Sequence, residues 1–324
     1  MHAISEFKKT VEEGIRKLEF PNDPPYLYDP IRYILALEGK RMRPVLVLMS
    51  CELFGGDVNK ALSPALGLEV FHNFTLMHDD IMDKAPLRRS KATVHTKWNS
   101  NVAILSGDTM FVQSCQLMMQ APDSCLRDVM NLFHKTAIEV CEGQQLDMDF
   151  EEQQHVTTEA YIEMISFKTA VLLAAALKIG ALIAGATASS AEHIYEFGRC
   201  IGVAFQLKDD ILDVYGDADK FGKLSGGDII ANKKTMLLIT ALEMVQGADK
   251  EELKNWLTNN KSNPAEKVQA VKNIFDKLQV RDIAEKEMVR YFEMAMHHLD
   301  AIPVADESKK PLRDFAELLM VREA

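Results

Sequence analysis

Glycine and proline are scarce in this chain, at 16 and 11 of 324 residues. A turn-rich β architecture uses more of both, so long uninterrupted helices are expected instead. No run alternates apolar and polar residues for long enough to demand a sheet. No Gly/Ser-rich or low-complexity stretch divides the sequence, so one domain over residues 1–324 is expected. Positive charge is in deficit, with 37 Lys+Arg against 48 Asp+Glu and a formal net charge of −11. That balance argues against nucleic acid or an anionic membrane as a partner, because both attract basic surfaces. The five cysteines, Cys51, Cys115, Cys125, Cys141 and Cys200, form no Cys-x-x-Cys pair and are odd in number. Reduced, buried thiols are the expected state. The segment Met1 to Lys9 lacks the apolar stretch of a signal peptide, and a cytoplasmic location is expected. Ala170 to Ala188 is apolar apart from Lys178 and small polar residues. Its length is marginal for a membrane span and Lys178 falls mid-run, so a helix buried in a bundle is expected rather than stable membrane insertion.

The apolar spacing predicts helices near 3–18, 30–37, 42–54, 60–82, 98–120, 123–149, 158–185, 189–215, 233–246, 250–258, 264–298 and 307–322. Pro21-Asn22-Asp23-Pro24-Pro25, Gly55-Gly56-Asp57 and Thr187-Ala188-Ser189-Ser190 supply breaks between them.

Two acidic clusters stand out. Asp79-Asp80-Ile81-Met82-Asp83 and Asp209-Asp210-Ile211-Leu212-Asp213 share the pattern Asp-Asp-x-x-Asp, and each ends a long apolar run. On a helix the first and last carboxylates share a face. Like charges that close repel unless a cation lies among them. Hard oxygen donors of this kind suit Mg²⁺, which bridges carboxylates to substrate phosphates. The pair is therefore expected to clamp one diphosphate. Basic groups that could oppose it are Gly39-Lys40-Arg41-Met42-Arg43-Pro44, Arg88-Arg89-Ser90-Lys91, Lys168-Thr169, Gly222-Lys223 and Asn232-Lys233-Lys234-Thr235. Arginine grips phosphate oxygens bidentately and lysine adds point charge. Alone, each cluster also reads as solvated surface or a helix end; the order basic, acidic, basic, Lys-Thr, acidic, basic is what a solvated face does not predict.

That order resembles the trans-isoprenyl diphosphate synthases of short-chain type, such as farnesyl and geranylgeranyl diphosphate synthase, over about residues 30 to 322. The motifs that carry it are Gly39-Lys40-Arg41-x-Arg43-Pro44, the first aspartate cluster followed by Leu87-Arg88-Arg89, Gly143-Gln144-x-x-Asp147, Lys168-Thr169, and Gly202-x-x-Phe205-Gln206 leading into the second cluster. The resemblance implies an all-α fold, one large helical bundle around a deep apolar cavity, and a homodimer. It implies Mg-dependent head-to-tail (1′–4) condensation of isopentenyl diphosphate with an allylic prenyl diphosphate, releasing diphosphate.

Carried over by motif, Asp79 and Asp83, with Asp80 close by, hold Mg²⁺ on the allylic diphosphate. Asp209, supported by Asp210 and Asp213, holds a further ion, for three Mg²⁺ per active site. Arg88, Lys168 and Lys233 contact the allylic diphosphate, and Lys223 lies near it. Lys40, Arg43, His72 and Arg89 bind isopentenyl diphosphate. Thr169 and Gln206 lie beside the reacting carbons, supported by Gln144 and Asp147, and Arg322 closes over the second substrate. Ser90 stands where the family usually has glycine, and His72 where some relatives have glutamine. Phe74, five residues before Asp79, Phe71 one turn deeper and the smaller Thr75 are expected to set product length at C15 or C20, against the alternative that both rings are ordinary core. Three other readings compete: a class I terpene cyclase, a non-catalytic subunit of a heteromeric prenyltransferase, and a structural bundle. Cyclases usually alter the second cluster and lack an isopentenyl diphosphate pocket, and non-catalytic subunits typically lose a cluster; both clusters are intact here.

Overall fold

The computed structural model describes residues 4–216, 226–259 and 263–321; Lys223 and Arg322 lie outside them. The described residues are all-α apart from one small hairpin, as expected. In order they form α1 (Ile4–Arg16), α2 (Pro25–Ala36), α3 (Met42–Leu53), α4 (Val58–Met82), β1 (Leu87–Arg88), β2 (Lys91–Ala92), α5 (Val94–Lys97), α6 (Ser100–Met118), α7 (Leu126–Glu152), α8 (Thr158–Ile165), a π-helical turn (Ser166–Ala170), α9 (Val171–Ile183) and α10 (Ala188–Tyr215). Further helices cover Gly227–Ile230, Met236–Met244, Gly247–Thr258, Pro264–Leu278, Val280–Asp300 and Asp306–Val321. They cluster into two compact units, one of Met1–His134, Ala175–Ile194 and Pro303–Pro311, the other of Lys135–Ala174, Tyr195–Ile302 and Leu312–Ala324.

In the first unit, α4 is the central element. Asp57 caps it by accepting from the Asn59 N–H at 3.0 Å, satisfying one of the unpaired donors of the first turn. Residues 64–71 of α4 are buried without interruption, Glu69 included. A helix enclosed on all sides reads as a core helix rather than an amphipathic one. Gly67 lets α6 come close: a Cβ there would stand 3.0 Å from the Ser114 carbonyl oxygen. The hairpin after α4 pairs Leu87 with Ala92 and Arg88 with Lys91. Its two turn residues, Arg89 and Ser90, have φ of 52° and 61°, the double left-handed geometry of a tight hairpin. Ser90 therefore sits in a conformation that glycine adopts at less cost. The Tyr33 hydroxyl, donating to the Ala92 carbonyl at 2.7 Å, ties the hairpin to α2.

The helix expected as 30–37 starts earlier, at Pro25, and three others are broken, delayed or interrupted. The segment expected as 264–298 is broken at Gln279, whose φ of 55° closes one helix and opens the next. No Gly or Pro marks that break, so the periodicity runs through it. The helix expected from residue 98 starts later: Trp98 is the C-cap of the short α5, and α6 starts only after Asn99, which accepts from the Val102 N–H at 2.9 Å. The segment expected as 158–185 is interrupted by the π turn at Ser166–Ala170. Thr158–Ile183 is long and apolar enough to cross a membrane, yet 72% of its apolar window is buried inside the protein, as the sequence reading of a core helix expects.

Candidate active site

The first acidic cluster sits at the C-terminal end of α4, and its three carboxylates are not equivalent. Asp80 is 2% exposed. Its Oδ1 accepts from Arg88 Nε at 2.8 Å and pairs with Arg88 Nη2 at 2.7 Å. Burial pushes its pKa up while Arg88 opposes the rise. Asp79 is half-buried, with Oδ2 at 3.5 Å from the same Arg88 Nη2, and Asp83 is exposed at the helix C-cap. Asp80 therefore anchors Arg88, while Asp79 and Asp83, four residues apart, offer oxygens from one face. This donor set fits Mg²⁺, which keeps several waters and takes one or two carboxylates together with substrate phosphates. It does not require a closed protein cage, and no group of three or more His, Cys, Asp or Glu side chains forms one among the described residues.

The same unit gathers the basic residues expected to hold isopentenyl diphosphate. Arg43 Nη1 lies 3.0 Å from His72 Nε2. Burial lowers the Arg43 pKa to about 10, so its charge persists at neutral pH. Its Nε is buried without a hydrogen-bond partner among the described residues. His72 is held well below its ordinary pKa, first by burial and then by Arg43, Arg89, Arg88 and Arg41. Its ring is therefore neutral and its lone pair and N–H are set by Arg43. The Arg89 guanidinium rests against Gly39, where a Cβ would stand 2.8 Å from Nη1. Lys40 is exposed beside them. Arg43, His72 and Arg89 thus belong to one cluster, with Lys40 adjoining it in sequence.

Behind the acidic cluster lies an aromatic stack. Phe74 meets Phe71 with centroids 5.6 Å apart and Phe111 of α6 at 5.6 Å. Phe71 also meets Phe111 at 6.1 Å and Phe133 of α7 at 5.3 Å, and is 1% exposed. Phe71 is thus fully enclosed, whereas Phe74 is half-buried. Thr75 turns its hydroxyl back onto the His72 carbonyl at 2.8 Å. Sequence reasoning found Phe71 and Phe74 but not Phe111 or Phe133, which lie outside any motif.

In the second unit, the π turn carries Lys168 and Thr169. π-Helical turns inside α-helices concentrate at functional sites. Gly143 of α7 makes room for it: a Cβ there would stand 2.2 Å from the Lys168 backbone nitrogen. The Lys168 ammonium meets Asp147 Oδ2 at 2.5 Å. The Thr169 hydroxyl donates to Gln206 Oε1 at 3.3 Å, and Gln206 Nε2 donates to Asp210 Oδ1 at 3.1 Å. The other Asp210 oxygen accepts from the Tyr161 hydroxyl. Burial drives the Asp210 pKa up to about 7, with the Tyr161 bond opposing, and the Tyr161 phenol is pushed well above its ordinary value. Asp210, like Asp80, is the buried middle member of its cluster. Asp209 and Asp213 are half-buried; Asp213 Oδ2 accepts from the Asp228 N–H at 2.9 Å. Lys233 is exposed, and its backbone N–H donates to the Asp228 carbonyl at 2.9 Å. Gln144 is half-buried on α7, one residue from Gly143. Tyr161 was not expected from the sequence. It stands 49 residues from Asp210 with no motif around it.

The polyprenyl synthetase family profile matches residues 24–274. The chain belongs to the polyprenyl synthetase family. It is 41% identical over 235 residues, 72% of each protein, to the geranylgeranyl diphosphate synthase of Methanosarcina mazei. It is 35% identical over 338 aligned residues, 99% of this chain and 97% of the relative, to the geranylfarnesyl diphosphate synthase of Natronomonas pharaonis. A crystal structure of a geranylgeranyl pyrophosphate synthase, 41% identical, superposes over 100% of both chains with a TM-score of 0.95. A polyprenyl synthetase thus has the all-α scaffold and aspartate clusters anticipated from its motifs.

Proposed function

We propose that this polyprenyl synthetase condenses isopentenyl diphosphate with an allylic prenyl diphosphate, head to tail, giving an all-trans C15–C20 prenyl diphosphate and free diphosphate. The observation that carries the reading is the group of Arg43 and Arg89 around neutral His72, with Lys40 adjoining it in sequence, built in the same unit as the Asp79–Asp83 cluster and its Arg88. An enzyme that only ionises one prenyl diphosphate has no use for that second anion site. This speaks against a terpene cyclase, and the retention of both aspartate clusters speaks against a non-catalytic subunit.

The chain's residues would act as follows. Arg88, Lys168 and Lys233 take up negative charge developing on the allylic leaving group; such fixed charges act most strongly where charge appears in the transition state. Asp80 holds Arg88 in place, and Asp147 does the same for Lys168. Mg²⁺, three ions per site, would be held by Asp79 and Asp83 and by Asp209 and Asp213, with Asp80 and Asp210 behind them, and would supply Lewis-acid stabilisation of the departing diphosphate. Lys40, Arg43, His72 and Arg89 orient isopentenyl diphosphate so that its double bond attacks the allylic carbocation. Thr169 and Gln206 present oxygen dipoles rather than a nucleophile to that cation. His72, kept neutral within an arginine cluster, makes a poor base, so the departing diphosphate accepts the proton lost after carbon–carbon bond formation. Lys223 is assigned to the allylic side by motif alone.

We also propose a cytoplasmic homodimer. Leu105 and Val112 of α6 and Met119 at its C-cap, spaced by seven, are 61%, 56% and 59% exposed, with Ile104 beside them at 42%. A heptad-spaced apolar seam suits a like helix. The test of the activity is incubation with isopentenyl diphosphate, Mg²⁺ and C5, C10 or C15 allylic diphosphate in turn, with products identified by mass. Elongated products support the reading; no condensation with any primer overturns it.

A further inference from the structure

Arg41 lies inside the Gly39–Pro44 motif, between two residues assigned to substrate, yet its own side chain is turned inward. It is 7% exposed. Its backbone takes φ 51°, ψ 33°, the left-handed region, where it starts α3. Arginine holds that conformation only when its surroundings fix it. One guanidinium makes all the bonds that do so. Nη2 donates to the Leu35 carbonyl at 2.8 Å and the Leu37 carbonyl at 2.7 Å, at the end of α2. Nη1 meets Glu69 Oε1 of α4 at 2.6 Å. Glu69 is 2% exposed, and the same Oε1 accepts from Asn73 Nδ2 at 3.1 Å. Three helices are thus joined at one buried ion pair.

What surrounds this junction is informative. Lys40 precedes Arg41, Arg43 follows it by two, and His72 lies one turn beyond Glu69 on α4. Both ends of the ion pair therefore lead directly into the anion-binding cluster. A buried ion pair is weak evidence of a stability role, because its desolvation offsets much of its attraction. Its presence here is better accounted for by fixing a geometry. The Glu69 carboxylate also favours the charged form of Arg43 against burial.

We propose that Arg41, Glu69 and Asn73 are positioning residues that hold Lys40, Arg43 and His72 in register for the diphosphate of isopentenyl diphosphate, without touching substrate themselves. The inference rests on the assignment of that cluster to isopentenyl diphosphate. It is specific to one substrate, since Arg88 and Lys168 are anchored by other carboxylates.

The test is steady-state kinetics with the two substrates varied separately. Glu69→Gln keeps the shape and one acceptor but removes the counter-charge. It is expected to raise KM for isopentenyl diphosphate about tenfold, with kcat and the allylic KM within about twofold of the parent. Arg41→Met combined with Glu69→Leu replaces the pair by apolar side chains, a change that commonly preserves stability. That double variant is expected to keep its melting temperature and show the same selective rise. A double variant that folds and retains the parent KM overturns the inference, as does a Glu69→Gln variant in which both KM values and kcat worsen together. Arg43→Ala separates the two levels of argument. An unchanged KM for isopentenyl diphosphate in Arg43→Ala overturns the cluster's assignment and the inference with it. A raised KM there with a silent Glu69→Gln overturns the inference alone.

Discussion

Phe74 and His78, one turn apart on α4, meet edge to face with ring centroids 4.8 Å apart. His78 is itself fixed: its Nε2 lies 3.2 Å from the Ile104 carbonyl oxygen, and its ring fills the space over Gly107, where a Cβ would stand 2.2 Å from Nε2. Phe74 is thus packed against His78, Phe71 and Phe111. Phe74→Ala is expected to lengthen the product by one or more isoprene units, since one helical turn rises about 5.4 Å, comparable to one such unit. Mass analysis of the products checks this; an unchanged chain length removes Phe74 as the determinant.

Asp79 is partly exposed, and its Oδ2 lies 3.5 Å from the arginine that Asp80 already holds. Asp79→Ala is therefore expected to leave folding intact and to lower turnover by at least about 100-fold, the scale on which loss of transition-state charge stabilisation is felt. Circular dichroism and steady-state turnover together check it. Near-normal turnover in a folded variant would take the first cluster out of the mechanism.

Burial and the arginines around it hold His72 well below its ordinary pKa. In the unfolded chain the same ring titrates near pH 6.5. Below that pH the unfolded state binds a proton that the folded state refuses, so this group costs stability increasingly as pH falls. His72→Gln abolishes that dependence. The melting temperature of the variant relative to the parent is expected to rise between about pH 7.5 and about pH 5. Parallel melting curves at both pH values would show that His72 does not titrate in the unfolding reaction.

Gly143 faces backbone, not a flexible side chain: an added Cβ would stand 2.2 Å from Lys168 N and 2.7 Å from Lys168 Cα. Gly143→Ala must push the π turn away from α7. Loss of about 1–3 kcal/mol is expected from this crowding, seen as a lowered melting temperature. A lower kcat should accompany it, because Lys168 and Thr169 ride on the displaced turn. Unaltered kcat would detach the turn's position from catalysis.

The chemistry was legible where it lies in contiguous motifs. The chain's likeness to polyprenyl synthetases rests on such stretches, and the helical class followed from the scarcity of turn formers. Within each cluster, however, the resemblance ranks the second aspartate behind the first without saying what holds it. The structure separates them, burying Asp80 against Arg88 and Asp210 against Gln206 and Tyr161. That difference depends on partners brought in by tertiary packing, which local patterning does not encode. Tyr161 was invisible for the same reason. The break at Gln279 escaped because its left-handed backbone is imposed without glycine or asparagine. Arg41 looked like one more phosphate-gripping arginine, and only its burial reveals the inward role.

The π turn at Ser166–Ala170 has a further consequence for how this protein tolerates length changes. Such a turn accommodates one residue more than a regular α-helix would. Deleting one residue within it would let the helix run straight from Thr158 to Ile183, relieving the local irregularity. Yet each residue of an α-helix advances about 100° around the axis. The bulge takes up that advance locally, so the deletion would leave α8, with Tyr161, nearly in phase with α9, but it would draw in the turn itself and pull Thr169 off Gln206 and Lys168 off Asp147. A shortened chain could gain helical regularity while losing the alignment of its reactive groups, so the bulge is a place where sequence length itself is under constraint.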